Sequence, residues 1–142
     1  MVNEGKAESL SFQLISASHM VETTLEAALE PLGLSLAKFG VLTMLVKAGE
    51  PLPLRTLAEG RACVRSNITQ LVDRLEAEKL VHRADDPHDR RSILAELTAE
   101  GRSRQAAGLR ALVEAERNLF SRLARPDREA LLRLLRSLRG ES

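Results

Sequence analysis

Apolar residues recur at spacings of three and four from about Ser9 to Glu30, where Leu10, Leu14, Ala17, Val21, Leu25 and Ala28 form one stripe. That period predicts a helix, and Pro31-Leu32-Gly33 ends it. Ser35 supplies an N-cap for a second helix, whose stripe is Leu36, Phe39, Leu42, Thr43 and Val46 and which stops near Lys47-Ala48-Gly49. Glu50-Pro51-Leu52-Pro53 reads as a short connector. Pro53 suits the first turn of a third, short helix, where its missing N–H is no loss. Leu54, Leu57 and Ala58 make that helix's buried side, and Gly60 closes it. A fourth helix is expected from about Val64 to Lys79, with Val64, Ile68, Leu71, Val72 and Leu75 on one face and Ser66, Gln70, Asp73 and Ala77 opposite.

After Lys79 the period shortens. Val81–Arg83 and Ile93–Leu97 read as strands, the second with Ile93, Ala95 and Leu97 alternating against Leu94 and Glu96. The polar stretch between them, Ala84 to Ser92, carries Pro87 and three aspartates and reads as a turn closing on Arg90 and Arg91. Thr98 caps a long helix to about Arg125, Arg125-Pro126-Asp127 interrupts it, and a last helix carries Leu131, Leu132, Leu134, Leu135 and Leu138. Helix, turn, helix and hairpin in this order outline a mainly α chain with a small β-wing, a winged helix-turn-helix. Helix order divides it into an N-terminal arm (1–34), the winged lobe (35–98) and a C-terminal arm (99–142). The leucine stripes of the two arms exceed what so small a lobe needs for its own core, which predicts dimerisation helices at both ends.

Composition narrows the class. With 44% hydrophobic and 29% charged residues the chain reads as an ordinary globular protein. No apolar run approaches the ~18 residues of a membrane span, and no basic-then-apolar leader opens it. The single Cys63 rules out an intramolecular disulfide framework, so a cytoplasmic protein is expected. His19, His82 and His88 fall on separate elements, so no metal site is expected. There is no nucleophile motif, phosphate loop or dinucleotide fingerprint, so neither an enzyme nor a cofactor is expected. Net charge is only +1, and acidic and basic residues also balance between Glu50 and Arg104. A claim of DNA binding must therefore rest on where the arginines sit.

Their positions do suggest it. A helix that reads base edges needs short polar side chains on its exposed first turns, and Ser66, Asn67, Thr69 and Gln70 are that set. Asn and Gln can pair with adenine, while Ser and Thr adapt to either base. Arg65 and Arg74 stand where they can grip phosphates on either side, fixing register without reading sequence.

Four pieces in order, LAEG at Leu57, RSNITQLVDRLEAEKLV from Arg65, DPHDRRSILAELT from Asp86 and the EG that follows, make the chain resemble the MarR family of bacterial transcriptional regulators. The resemblance implies a homodimer joined through the first and the last two helices. It implies a double-stranded, pseudo-palindromic operator, and repression relieved by a small molecule or by oxidation. It also implies that a wing-tip arginine enters the minor groove, where Arg91 matches best and Arg90 next. Two features depart from the family. Val64 stands where such proteins usually carry a polar N-cap, so either Cys63 or Ser66 caps that helix end poorly or DNA phosphate completes it. There is no Trp or Tyr for a phenolic effector. A ligand pocket in this fold class would lie between the terminal helices and the lobe, with Phe12, Ser16, His19 and Phe39 as its candidate lining. Two alternatives stand beside this reading. One is a redox-responsive repressor using Cys63, flanked by Arg61 and Arg65; the other is a winged-helix module that binds protein instead of DNA.

Overall fold

The computed structural model describes residues 9–60 and 67–141. Among these residues the helices are α1 (Leu10–Leu29), α2 (Leu36–Ala48), α3 (Leu54–Glu59), α4 (Ile68–Ala77), α5 (Ala99–Leu119) and α6 (Arg125–Leu138), with a 3₁₀ turn at Glu30–Leu32. The strands are β1 (Leu52–Pro53), β2 (Val81–Asp86) and β3 (Asp89–Leu97), antiparallel in the order β1-β3-β2. The chain forms two compact units, one of Leu25–Leu112 and one of the two chain ends, up to Thr24 and from Val113. The first unit is the winged lobe. Its core joins Leu29, Val41, Leu42, Leu45, Leu57, Val72, Leu75, Leu80, Val81 and Ala95.

The local signals that ended helices in the sequence end them here. Ser35 Oγ accepts the Lys38 N–H at 3.1 Å, and Gly49, at φ 69°, turns the chain out of α2 while its N–H returns to Leu45 O. The expected stripe on α2 is displaced, because Val41, Leu42 and Leu45 are the buried residues. LAKFGVLTMLVKA is apolar on nearly every side, so its periodicity says little about which face is buried.

Three further differences are non-local in origin. Leu52-Pro53 is an edge strand, not a connector, paired with Ala95 and Leu94; proline is tolerated there because an edge strand has one unpaired side. The wing strands extend well beyond the expected spans, through Asp85 and Asp86 on one side and back from Asp89 on the other. Their poor strand propensity is overridden by the partner strand. Finally, α5 stops at Leu119 and α6 begins at Arg125 with Pro126 in its first turn, so the proline starts a helix that had already been interrupted.

Where the wing meets α5 the backbones are in close contact. Lys79 turns out of α4 at φ 64°, Thr98 Oγ reaches its carbonyl at 2.7 Å, and the same oxygen accepts the Gly101 N–H at 2.9 Å as the cap of α5. A Cβ on Gly101 would lie 2.0 Å from Leu80 O.

Candidate nucleic-acid interface

The exposed side of α4 is set by its buried one. Leu71, Val72 and Leu75 face the core, which leaves Asn67, Thr69, Gln70 and Arg74 in solvent. The helix begins at Ile68, later than its apolar pattern suggested, and its N-cap is Asn67. Asn67 Oδ1 accepts the N–H groups of Thr69 at 3.0 Å and Gln70 at 3.4 Å. The end of α4 is therefore capped from within the chain by Asn67, which corrects both expected alternatives, a poor cap from Cys63 or Ser66 and completion by DNA phosphate. This also changes what Asn67 can offer a base. With its oxygen turned to the helix it presents the amide NH₂, while Gln70 keeps both halves of its amide available. Arg65 and Ser66, with Arg61, Cys63 and Val64, lie outside the described residues.

At the wing tip the ladder jumps from Asp85↔Ile93 to Asp86↔Asp89, so Arg90, Arg91 and Ser92 are extra residues on β3. Two aspartates shape this bulge through the backbone. Asp86 Oδ1 accepts the His88 N–H and Asp89 Oδ1 the Arg91 N–H, each at 2.9 Å. Asp89 thus orients Arg91 through its main chain, and among the described residues the guanidinium makes no ion pair. Both arginines are exposed.

Equal counts of charge do not mean that every charge is paired. Asp73 and Glu76 of α4 are both engaged by Arg83 of β2, whose guanidinium also reaches Thr69 O at 3.4 Å and whose N–H donates to Glu76 Oε2 at 2.9 Å. Lys38 takes Glu78 at 2.7 Å, His82 lies 3.1 Å from Glu96, and Arg104 takes Glu100 at 3.0 Å. Among the described residues Arg74 of α4 and Arg90 and Arg91 of the wing make no ion pair, and neither do the wing's Asp85, Asp86 and Asp89, so the guanidiniums stand free without making the wing positive by count. Exposed pairs of this kind contribute little stability. What Arg83 does is positional: one side chain ties the wing strand to the first and second turns of α4. The sequence carried a sign of it in Asp73 and Glu76, three apart on one edge of a helix, with a cation at the start of the next strand.

The candidate ligand residues fall in both compact units. His19 lines a shallow surface of α1 with Leu14, Ile15, Ser18 and Glu22, in which Phe12 and Ser16 take no part. Phe39 belongs to the other compact unit, where it packs against Gly108. Among the described residues no group of three or more His, Cys, Asp or Glu is arranged to hold a metal ion, and no single helix is long and apolar enough to cross a membrane.

A sequence model of the MarR family matches residues 32–92, which span α2, α3, α4 and most of the wing. The uncharacterized HTH-type transcriptional regulator YkoM of Bacillus subtilis (strain 168) is 35% identical over 69 residues, covering 49% of this chain and 44% of that protein. This chain thus matches under half of that relative's length. Among solved structures, a MarR-family transcriptional regulator from Rhodococcus sp. RHA1 superposes with a TM-score of 0.80 at 28% identity over 93% of each chain. The transcriptional repressor CouR, bound to a 23-mer DNA duplex, superposes with a TM-score of 0.84 at 30% identity over 94% of each chain. CouR from Rhodococcus jostii RHA1 bound to p-coumaroyl-CoA gives 0.76 at 26% identity, over 93% of this chain and 92% of that one.

Proposed function

The chain belongs to the MarR family of transcriptional regulators, and we propose that it is a cytoplasmic repressor that binds a pseudo-palindromic operator as a homodimer and is released by a small molecule. The observation that carries this reading is the exposed face of α4 and the wing: Arg83 holds Asp73 and Glu76 of α4, while Asn67, Thr69, Gln70, Arg74, Arg90 and Arg91 stand exposed. Arg65 and Ser66 extend the same set in sequence. The DNA complex of CouR supports this assignment.

Exposed apolar surface supports the dimer. Among the described residues the large exposed apolar side chains lie on α1, α5 and α6, from Leu10 at 85% and Phe12 at 65% to Leu138 at 68%, with Ile93 the one exception. Surface of that extent on a soluble protein is covered by a partner. A groove of about 560 Å³ lined by Val113, Phe120, Leu131, Leu132 and Leu135 offers a second copy a place to pack. The arms 1–34 and 99–142 are thus the dimerisation elements, and the segment 35–98 reads DNA.

Selection of bound sequences from random duplex DNA tests the whole reading. It should return an inverted repeat with half-site centres ~10 bp apart, bound by a species of twice the chain mass, with affinity falling steeply with salt. Failure to enrich any sequence, or enrichment of a single half-site by a monomer, would overturn it.

Asn67 allows its two roles to be separated. Asn67→Asp keeps an oxygen for the capped N–H groups but removes the NH₂ and adds a charge facing phosphate; Asn67→Ala removes everything. In urea unfolding the Asp variant should stay within ~0.5 kcal/mol of the parent, while the Ala variant loses ~1 kcal/mol. Both should weaken operator binding. An Ala variant as stable as the parent would show that the cap is idle.

A further inference from the structure

The turn that joins α1 to α2 is held from three sides. Glu26 Oε1, near the end of α1, accepts the Leu36 N–H at 2.6 Å. The Arg104 guanidinium of α5 donates to Leu32 O at 2.8 Å, and the Lys38 ammonium donates to Gly33 O at 3.4 Å. All of these residues belong to the compact unit Leu25–Leu112. Lys38 also reaches further. The same ammonium lies 2.7 Å from Glu78 Oε1, on the residue that forms the C-cap of α4. The local helix does not account for a lysine here. It stands in the first turn of α2, where the helix dipole disfavours a cation. Its side chain is only 17% exposed, although lysines are seldom buried without a partner. Its partners are the α1–α2 turn on one side and the end of α4 on the other.

The apolar grip on α4 is uneven, and Lys38 acts where it is missing. Ile68, Leu71, Val72 and Leu75 pack into the core, and no side chain of α4 beyond Leu75 is buried. The last turn is held by charge instead, Glu76 by Arg83 and Glu78, just past it, by Lys38. The leverage matters for DNA. A helix of ten residues is ~15 Å long, so pivoting it by ~10° moves one end by ~2.5 Å, most of the ~3.4 Å between base steps. We propose that Lys38 is a positioning residue for operator recognition: a strut that fixes the tilt of α4 against the α1–α2 turn, and so the half-site spacing that a dimer accepts. It acts through Glu78, without touching DNA, and its effect is on geometry, since partly exposed ion pairs add little stability. This role rests on the dimeric DNA-binding reading and names what sets the spacing within it.

The test uses the full chain with its selected operator, beside the same operator carrying one extra base pair between the half-sites. The readout is the ratio of the two Kd values, from which a general change of charge or folded fraction cancels. The parent should favour the selected spacing by roughly thirtyfold or more. Lys38→Met keeps the buried stem and removes the charge, and should reduce that preference by roughly fivefold or more. Lys38→Glu should reduce it further, by setting two carboxylates together. The α2 end stays capped in that variant, because a glutamate three residues after Ser35 completes a capping box. Adding Glu78→Lys to Lys38→Glu should restore the preference to within roughly threefold of the parent, a rescue that only direct pairing of the two side chains gives. An unchanged preference in Lys38→Met, or affinity lost equally at both spacings, would overturn the strut. So would a reversed pair no better than Lys38→Glu alone. A parent that binds both spacings equally, or binds as a monomer, would instead sink the dimeric reading, and the strut with it.

Discussion

Replacing Gly101 by alanine is expected to destabilise the protein by about 2–3 kcal/mol, although alanine is the better helix former by ~1 kcal/mol. Gly101 lies in the first turn of α5, and a methyl group there would meet Leu80 O at 2.0 Å and Leu97 Cδ1 at 2.8 Å. The leucine side chain can rotate away, but the carbonyl cannot move alone. It accepts the Thr98 N–H at 3.1 Å and lies 3.0 Å from the Thr98 hydroxyl, the bonds that fix where the wing ends and α5 starts. Relief therefore requires moving the helix off the wing root. In thermal unfolding this should lower Tm by roughly 5–10 °C. Gly40 is the internal control, being an α2 glycine with nothing within 4 Å of a built Cβ. Gly40→Ala should leave Tm unchanged or raise it. A Gly101→Ala protein that melts within 2 °C of the parent would show that the contact at Leu80 relaxes freely. The close approach also gives a physical reason for the Glu100-Gly101 pair that followed the wing in the sequence.

What was legible in the sequence is what is decided locally. Ser35 and Gly49 bound α2 because a hydroxyl and an αL glycine act within one turn of themselves. Leu71, Val72 and Leu75 fixed the buried face of α4, and so its exposed face, because helical period is a short-range property. What was missed depends on a distant partner. Leu52-Pro53 became a strand only through β3, and aspartates were drawn into the wing by residues paired across it. The α4 start was misjudged because Val64 continued the apolar pattern, whereas the cap is an asparagine already assigned to DNA. The apolar series of α5 ran on through Phe120 and Leu123, so periodicity did not mark its end at Leu119. The candidate site shows the same division. Its polar positions on α4 could be listed from spacing, but charge counts gave no hint that Arg83 engages two acids and leaves Arg74 and Arg91 unneutralised.

Arg91→Ala should then be the most damaging single change for operator binding among the exposed residues of the wing. The side chain makes no ion pair among the described residues, so its removal should not disturb the fold, and Tm should stay within about 1–2 °C of the parent. Asp89 still accepts the backbone N–H of residue 91 in the variant, so the bulge that projects this position is retained. The loss is thus confined to the DNA contact, and a dimer loses it twice on one operator. At ~1–1.5 kcal/mol for each guanidinium in a groove, the complex weakens by about 2–3 kcal/mol, roughly 30–150-fold in Kd. Arg90→Ala should cost less, since Asp89 directs Arg91. Two further readouts separate groove reading from simple charge. Loss of one phosphate-like contact per subunit lowers the salt slope by ~1 per subunit on every sequence. A minor-groove arginine adds a sequence-dependent part, larger when the steps beneath the wing are A·T-rich and the groove narrow, smaller when they are G·C-rich. Operator affinity within twofold of the parent would remove Arg91 from the interface. An equal loss on A·T-rich and G·C-rich flanks would keep it there only as a phosphate grip, and the specificity would then rest on α4 alone.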